Sequence, residues 1–325
     1  MEKIKFLTMA ALATAFFASC SNEDGLPQSN YPADNVVRIT TSVDGMNTRA
    51  SYGGSTAKLS SFGFCINNAG SDKYTYDNIK VTQENGKWNP ATQMLWQNST
   101  TAVDNLAYAP YQANGNVKIF GKSDYAFSVK EDQSNAEDYS SDLIVYKQTG
   151  FTPGSELNTS KAVDVAFTHL LSQLNLTIEL RDQFNQDEKK PVTEATVTDV
   201  KVNGTIISSK VDFSASPISV QVDDTQEATA ITPETTEFKA AGKTTDHAAF
   251  NYSAIVIPQT VTAGNFSISF KVDGTDYIWT STSDVNFVSG NKHQLSLLVG
   301  KDVVQVKGIT ATPWGKENIT QGETD

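Results

Sequence analysis

Residues 163–180 read VDVAFTHLLSQLNLTIEL, and their pattern indicates the secondary structure of the chain. In the second half of this stretch, apolar side chains recur at every other position, at Leu174, Leu176, Ile178 and Leu180. A repeat of two residues places such side chains on one face of a β-strand, whereas a helix needs spacings of three and four. The stretch therefore predicts a strand with one buried face.

The same alternation recurs outward from this stretch in both directions. It is found in VVRITTSV at 36–43, in HQLSLLV at 293–299 and in VVQVKGIT at 303–310. NFSISFKVDGTDYIWTS at 265–281 reads as two strands around the Asp-Gly-Thr-Asp turn at 273–276, a hairpin signal. Strands at short spacing, separated by Gly, Asn, Asp and Pro clusters, are typical of antiparallel sandwiches. The fold class predicted is mainly β, with antiparallel Greek-key sandwiches.

A polar stretch near the middle of the chain predicts a domain boundary. KQTGFTPGSELNTSKA at 147–162 contains two Gly and one Pro between apolar runs. We expect an N-terminal sandwich at 50–158 and a C-terminal sandwich at 159–325. The acidic, Thr-rich segment 222–248 is predicted to be a surface loop of the second sandwich.

The N-terminus has the features of a secretory signal. Lys3 and Lys5 precede an apolar run at 6–17, which ends in Ala18-Ser19-Cys20. This run is too short to span a bilayer, which needs ~20 residues, so we predict a signal peptide at 1–19. Small residues before a cysteine resemble the lipobox of bacterial lipoproteins, which implies a lipid anchor on Cys20. The alternative is a plain secretory signal with an incidental cysteine.

Composition excludes several other classes of function. The chain has 325 residues and a formal net charge of −12, without a Lys/Arg cluster, so nucleic acid is not an expected partner. Of its two cysteines, Cys65 lies in the apolar run SFGFCIN and is expected to be a buried, inert thiol.

The residues offer little support for catalysis. The three histidines lack metal-ligand spacing, and His169 is expected in the core. GxSxG and Gly-rich phosphate-binding motifs are missing, so we predict no enzyme and no cofactor. Most of the four tryptophans are expected to be core anchors, with a sugar-stacking platform as the alternative.

Several landmarks, in order, resemble the fimbrillin family of Bacteroides-type bacteria, the lipoprotein-derived subunits of type V pili. They are the lipobox, NTRA, NGKW, MLW, LAYAPY, SDLIVY, VDVAFTHLLSQLNLTIEL and SGNKHQLSLLV with VQVKGITATPWG. The resemblance implies two tandem transthyretin-like sandwich domains, no enzyme activity, and other pilin subunits as partners. It also implies an outer membrane lipoprotein exposed on the cell surface that serves adhesion or biofilm formation. Glu23 and Asp24 resemble the signal that sends such lipoproteins to the surface.

The resemblance further implies a mechanism of assembly. An arginine-specific surface protease cuts such subunits after their first strand, and a strand of a neighbouring subunit fills the groove that is left. Arg49-Ala50 occupies the matching position here, so the removable strand would lie within 20–49, with Val37, Ile39 and Val43 pointing inward. Gly and Asn residues around this position favour accessibility to a protease. The alternative is that Arg49 is an ordinary solvated loop arginine.

The identity of the filling strand is open at this point. Val304 and Val306 alternate in the run at 302–314 and are candidates for the donor strand. The same run could instead be the last strand of its own domain. A rival function is a surface glycan-binding lipoprotein of a nutrient-uptake system, which should display coplanar exposed aromatic side chains.

Overall fold

The computed structural model describes residues 29–43, 52, 58–113, 118–185, 191–243 and 246–314. The protein is mainly β, as the alternation predicted. The described part contains twenty strands: β1 Ile39–Val43, β2 Ser61–Asn67, β3 Tyr76–Glu84, β4 Lys87–Pro90, β5 Val103–Ala109, β6 Tyr125–Ser128, β7 Ile144–Phe151, β8 Val163–His169, β9 Ser172–Leu180, β10 Val197–Asn203, β11 Ser208–Asp212, β12 Ser219–Val222, β13 Glu234–Lys239, β14 Ala248–Val256, β15 Gln259–Val261, β16 Ser267–Val272, β17 Thr275–Thr280, β18 Val285–Phe287, β19 Asn291–Gly300 and β20 Val303–Pro313.

Helical structure in the described residues is confined to single turns. They are α1 Pro153–Glu156 and the 3-10 turns Asp72–Tyr74, Asp182–Phe184 and Glu194–Thr196. No helix in this part of the chain is long and apolar enough to cross a membrane.

The strands form two large sheets and three smaller ones. The seven-stranded sheet has the order β1-β8-β7-β5-β2-β3-β4, and the five-stranded sheet has the order β13-β14-β9-β19-β20. The smaller sheets are β10-β16-β17, β12-β11-β6 and the pair β15-β18. Among these twenty strands, pairing is antiparallel except in two ladders, β1 with β8 and β9 with β19.

Two hydrophobic cores share the seven-stranded sheet between them. Successive side chains of a strand point to opposite faces, so Phe64 joins the first core while the neighbouring Cys65 joins the second. Ala107 and Leu106 divide between the two cores in the same way. Strands β2 and β5 are buried on both faces over most of their length, and apolar residues follow one another there, in FGFCI at 62–66 and LAYA at 106–109.

Some strand pairs join residues on either side of position 158/159. Strand β8 lies after this position but completes the seven-stranded sheet, and β6 lies before it but pairs with β11. The division into two tandem sandwiches thus stays a prediction.

Two local predictions had different outcomes. The hairpin is confirmed: β16 and β17 pair across a two-residue turn, where Asp273 and Gly274 have φ of 50° and 82°. The surface loop predicted at 222–248 is wrong in its middle, because β13 pairs there with β14. Its pattern is polar since it is an edge strand with much of its surface in solvent.

Candidate assembly site

Strand β1 is an edge strand whose apolar side chains belong to the first core. Val37, Ile39 and Val43 are 3%, 7% and 8% exposed, and all three pack in the first core. Ser42, between them, points to solvent. The strand thus fills core space although only one of its backbone edges is paired within its sheet.

The chain around β1 is attached on two sides. On one side it runs parallel to β8, in the register Ile39 to Val163 through Val43 to Phe167. On the other side, just before the strand, the Val37 N–H donates to the Met94 carbonyl at 3.0 Å. The first strand therefore spans between β8 and the segment that follows β4.

A side-chain contact adds to the parallel ladder. Asn158 Nδ2 donates to Thr40 Oγ1 at 2.9 Å, and the Val163 N–H donates to the Arg38 carbonyl at 2.8 Å. Arg38 itself is exposed and pairs with Asp34, which holds the pKa of that carboxyl at about 2.

A cleft separates the two ends of the seven-stranded sheet. It has a volume of about 790 Å³ and lies between β1 and β4, with Trp88 in its wall. Trp88 is half-buried and meets Phe62 edge to face at 5.0 Å between ring centres.

Strand β20 is the other edge strand of interest, at the end of the five-stranded sheet. It pairs antiparallel with β19 of its own chain, which agrees with the reading of this run as a last strand. None of its side chains is buried: Val304 is half-buried, while Val303, Val306 and Ile309 are 46%, 46% and 41% exposed.

The ladder of β20 is irregular at its centre. The register shifts between Ser296 and Leu297, so that Lys307 is left without a partner on β19. Such a bulge bends the strand locally. Lys307 Nζ lies 2.8 Å from Glu179 Oε2 on β9.

Directly after β20, Trp314 is anchored in a buried cluster with His169, Asp142 and Tyr52. The Trp314 and His169 rings are stacked, with centres 3.9 Å apart and planes 6° apart. His169 Nδ1 donates to Asp142 Oδ1 at 2.9 Å, and the Tyr52 N–H donates to Asp142 Oδ2 at 2.8 Å. A carboxylate can accept on both oxygens, so Asp142 connects two distant parts of the chain.

The surroundings of this cluster are apolar enough to shift the pKa of nearby ionisable groups. Burial lowers the pKa of Lys292, whose Nζ lies 5.6 Å from the centre of the Trp314 ring. Burial also raises the pKa of the Tyr52 phenol well above its ordinary value, with a smaller effect from Asp142. His169 lies in the core, as expected, at 6% exposure.

The other residues singled out from the sequence lie partly outside and partly inside the described part of the chain. Cys20, Arg49 and Ala50 lie outside the described residues, so their roles stay predictions. Cys65 is fully buried, and burial raises the pKa of its thiol well above the ordinary value, as expected for an inert cysteine. Among the described residues, no group of His, Cys, Asp and Glu has the arrangement of a metal site.

The tryptophans give no sugar-binding platform in the described part of the chain. Trp96 and Trp314 are buried at 1% and 6%, and Trp88 and Trp279 are half-buried. All of the described Phe, Tyr and Trp side chains are buried or half-buried. Within the described residues, the glycan-binding alternative therefore lacks the coplanar exposed aromatics that it requires.

Sequence reasoning missed Asp142 and Tyr52. Asp142 stands directly before the apolar run LIVY, where a carboxylate must either face solvent or be partnered. That position was the available signal. Tyr52 is involved through its backbone N–H, and side-chain patterns carry no information on such a contact.

Comparison with known proteins gives one family. The model of the family described as fimbrillin-like matches residues 48–314, which is most of the chain. No curated protein sequence is significantly similar to the chain.

Solved structures from three Bacteroides species have a similar fold. A candidate cell adhesion protein from Bacteroides ovatus aligns over 88% of this chain and 100% of its own, with a TM-score of 0.61 at 13% identity. A candidate cell adhesion protein from Bacteroides uniformis aligns over 86% and 100%, with a TM-score of 0.53 at 19% identity. A fimbrial protein from Bacteroides vulgatus aligns over 86% and 99%, with a TM-score of 0.52 at 16% identity.

Proposed function

Because this chain belongs to the fimbrillin-like family, we propose that it is a structural subunit of a cell-surface pilus, as a stalk, tip or accessory subunit. Family membership supports a role as a pilus subunit or in adhesion, and a location at the cell surface. We extend this to a lipoprotein that is anchored in the outer membrane through Cys20, and to a subunit without enzyme activity that serves adhesion or biofilm formation.

The position of β1 is the observation that supports the proposed assembly mechanism. The strand lies at the edge of its sheet, yet it supplies buried side chains to the first core. An edge strand can leave without breaking the other ladders of the sheet. Its departure would expose the apolar face of β8, where Val163, Val165 and Phe167 are buried.

The free energy gained by burying the apolar side chains of the first strand is large enough to drive assembly. Burial of a Val or Ile side chain contributes ~1.5–3 kcal/mol, so Val37, Ile39 and Val43 together contribute roughly 5–9 kcal/mol. This sum is comparable to the ~5–15 kcal/mol that stabilises a whole domain. A subunit without β1 would expose an apolar groove and an unpaired edge, a state that pairs readily with another strand.

Proteolysis after Arg49 is the proposed trigger. The cut separates β1 from the rest of the fold, which begins again at Tyr52 among the described residues. The uncut subunit is complemented by its own first strand and stays monomeric. The cut subunit requires a strand of another subunit.

Strand β20 is the proposed donor. Its sequence VVQVKGIT matches the pattern of VVRITTSV at β1: two valines, a polar residue and a β-branched apolar residue. Val304 and Val306 could therefore take the places of Val37 and Ile39. Its exposed side chains lose little burial when it leaves β19.

A proteolysis experiment tests the proposal. Residues 21–325 are treated briefly with trypsin, and the N-terminal sequence and the particle mass are followed together. We expect a new N-terminus at Ala50 and the growth of oligomers. The Arg49→Ala variant is the control and should remain a folded monomer. Oligomers of this variant at the wild-type rate would overturn the trigger.

A further inference from the structure

Strand β20 is held on its own subunit by its ladder with β19 and by Trp314, the residue that directly follows it. We infer that Trp314, His169 and Asp142 form a latch, which retains β20 on its own subunit and controls its release as a donor strand. This inference rests on the function proposed above.

The distribution of burial along β20 is the first argument. From Val303 to Pro313 no side chain is buried, and only two are half-buried. The next residue, Trp314, is 6% exposed, and its N–H donates to the Gly290 carbonyl at 2.7 Å. Because the side chains of β20 bury so little surface, the stacked indole of Trp314 is the main apolar contact that retains the strand.

The connection to the N-terminal part of the fold is the second argument. Asp142 orients the His169 ring through Nδ1, and the same carboxylate holds the Tyr52 N–H. Both the Asp142 and the His169 side chains are fully buried. Tyr52 lies three residues after Arg49. A change in the chain at Tyr52 is therefore transmitted, through one carboxylate and one ring, to the residue that retains β20.

One hydrogen-bond donor of the latch, the Trp314 indole N–H, is buried but unsatisfied among the described residues, which favours its release. A buried donor without an acceptor is costly, so the bound position of Trp314 is less favourable than a fully satisfied one. The stack can hold the strand and still release it to a competing groove.

Hydrogen exchange of the intact, uncut chain tests the latch. We expect Trp314→Leu to raise the exchange of amides in 303–313 about tenfold, as loss of a stacked aromatic pair implies. Exchange in β13, the opposite edge of the same sheet, should not change, and this reference separates local release from global unfolding. Trp96→Leu, a buried tryptophan of the first core, is the matched control and should leave β20 unaffected.

A second variant tests the connection to Tyr52. Asp142→Asn keeps the size of the side chain, but an amide has only one acceptor oxygen and so serves one of the two donors. We expect faster exchange in β20 here as well, again with β13 unchanged. Wild-type exchange in 303–313 for both variants would overturn the latch.

Polymerisation of the cut chains separates this inference from the proposed function. With the latch acting on a donor strand, cut Trp314→Leu should assemble faster than the cut wild type. Faster exchange of β20 without faster assembly would show that Trp314 retains β20, but would overturn the control of donor release and remove β20 as the donor. Assembly of the wild type with exchange unchanged in both variants would leave the pilus function intact and remove the latch.

Discussion

Lys147 shows how one residue can connect the seven-stranded sheet with the segment that follows β11. Its Nζ donates to the carbonyls of Phe213, Ser214 and Ala215, at 2.8, 2.9 and 2.8 Å. Lys147 lies on β7 of the seven-stranded sheet, whereas the three carbonyls follow β11. An ammonium has three donors, and all three are used here.

We therefore predict that Lys147→Met destabilises the chain by about 1.5–3 kcal/mol, since hydrogen bonds to charged groups contribute this much and three carbonyls lose their partner. Urea unfolding followed by circular dichroism measures the change. Lys130→Met is the matched control, because Lys130 is exposed and its pair with Asp138 lies at the surface. We expect less than about 1 kcal/mol for the control. Equal effects in the two variants would contradict the role given to Lys147.

Residues of this kind were beyond sequence reasoning for a physical reason. The core positions of Cys65 and His169 were predictable, because apolar context alone decides them. Lys147, Asp142 and Tyr52 act through contacts with distant backbone atoms. A lysine in KQTGF gives no sign that three carbonyls far along the chain lie within its reach.

Among the elements, β1 gives a clear stability prediction. Ile39→Ala removes a buried side chain of the first core and should destabilise the uncut chain by about 2–5 kcal/mol. Ser42→Ala, on the exposed face of the same strand, should change the free energy of unfolding by less than about 0.5 kcal/mol. Urea unfolding of the two variants checks both values. Similar small effects of the two substitutions would mean that β1 contributes little to the core. Its loss would then leave no apolar groove for another strand to fill.

Strand existence was largely predictable, and strand partners were not. Alternation located β9, β16 and β19, because each has one face buried in the second core. It also located β17 and β20, whose alternating side chains are at most partly buried against that core. The period gives no information on which strand lies beside which. The parallel ladders of β1 with β8 and of β9 with β19 join segments that are distant in sequence. Strand β13 was missed because the sequence ETTEFK of this edge strand is mostly polar, with Phe238 as its one large apolar side chain, and so resembles a loop.

At the scale of the whole molecule, the seven-stranded sheet is the centre of the fold. Both of its faces contribute to a core, and its end strands β1 and β4 flank an open cleft. Strand β8 belongs to this sheet although it follows the polar stretch at 147–162. Removal of β1 would thus alter an edge of the element on which both cores are built.

In the proposed assembly, a strand of another copy replaces β1 beside β8. Ala166 pairs with Ser42 in this ladder and is exposed, so a photo-crosslinking amino acid at position 166 reports which strand lies there. In the uncut chain we predict cross-links to residues 39–43 of the same molecule. After cleavage and assembly, in a mixture of isotope-labelled and unlabelled chains, we predict cross-links between copies. Continued cross-linking to residues 39–43, or assembly without intermolecular cross-links, would contradict the account.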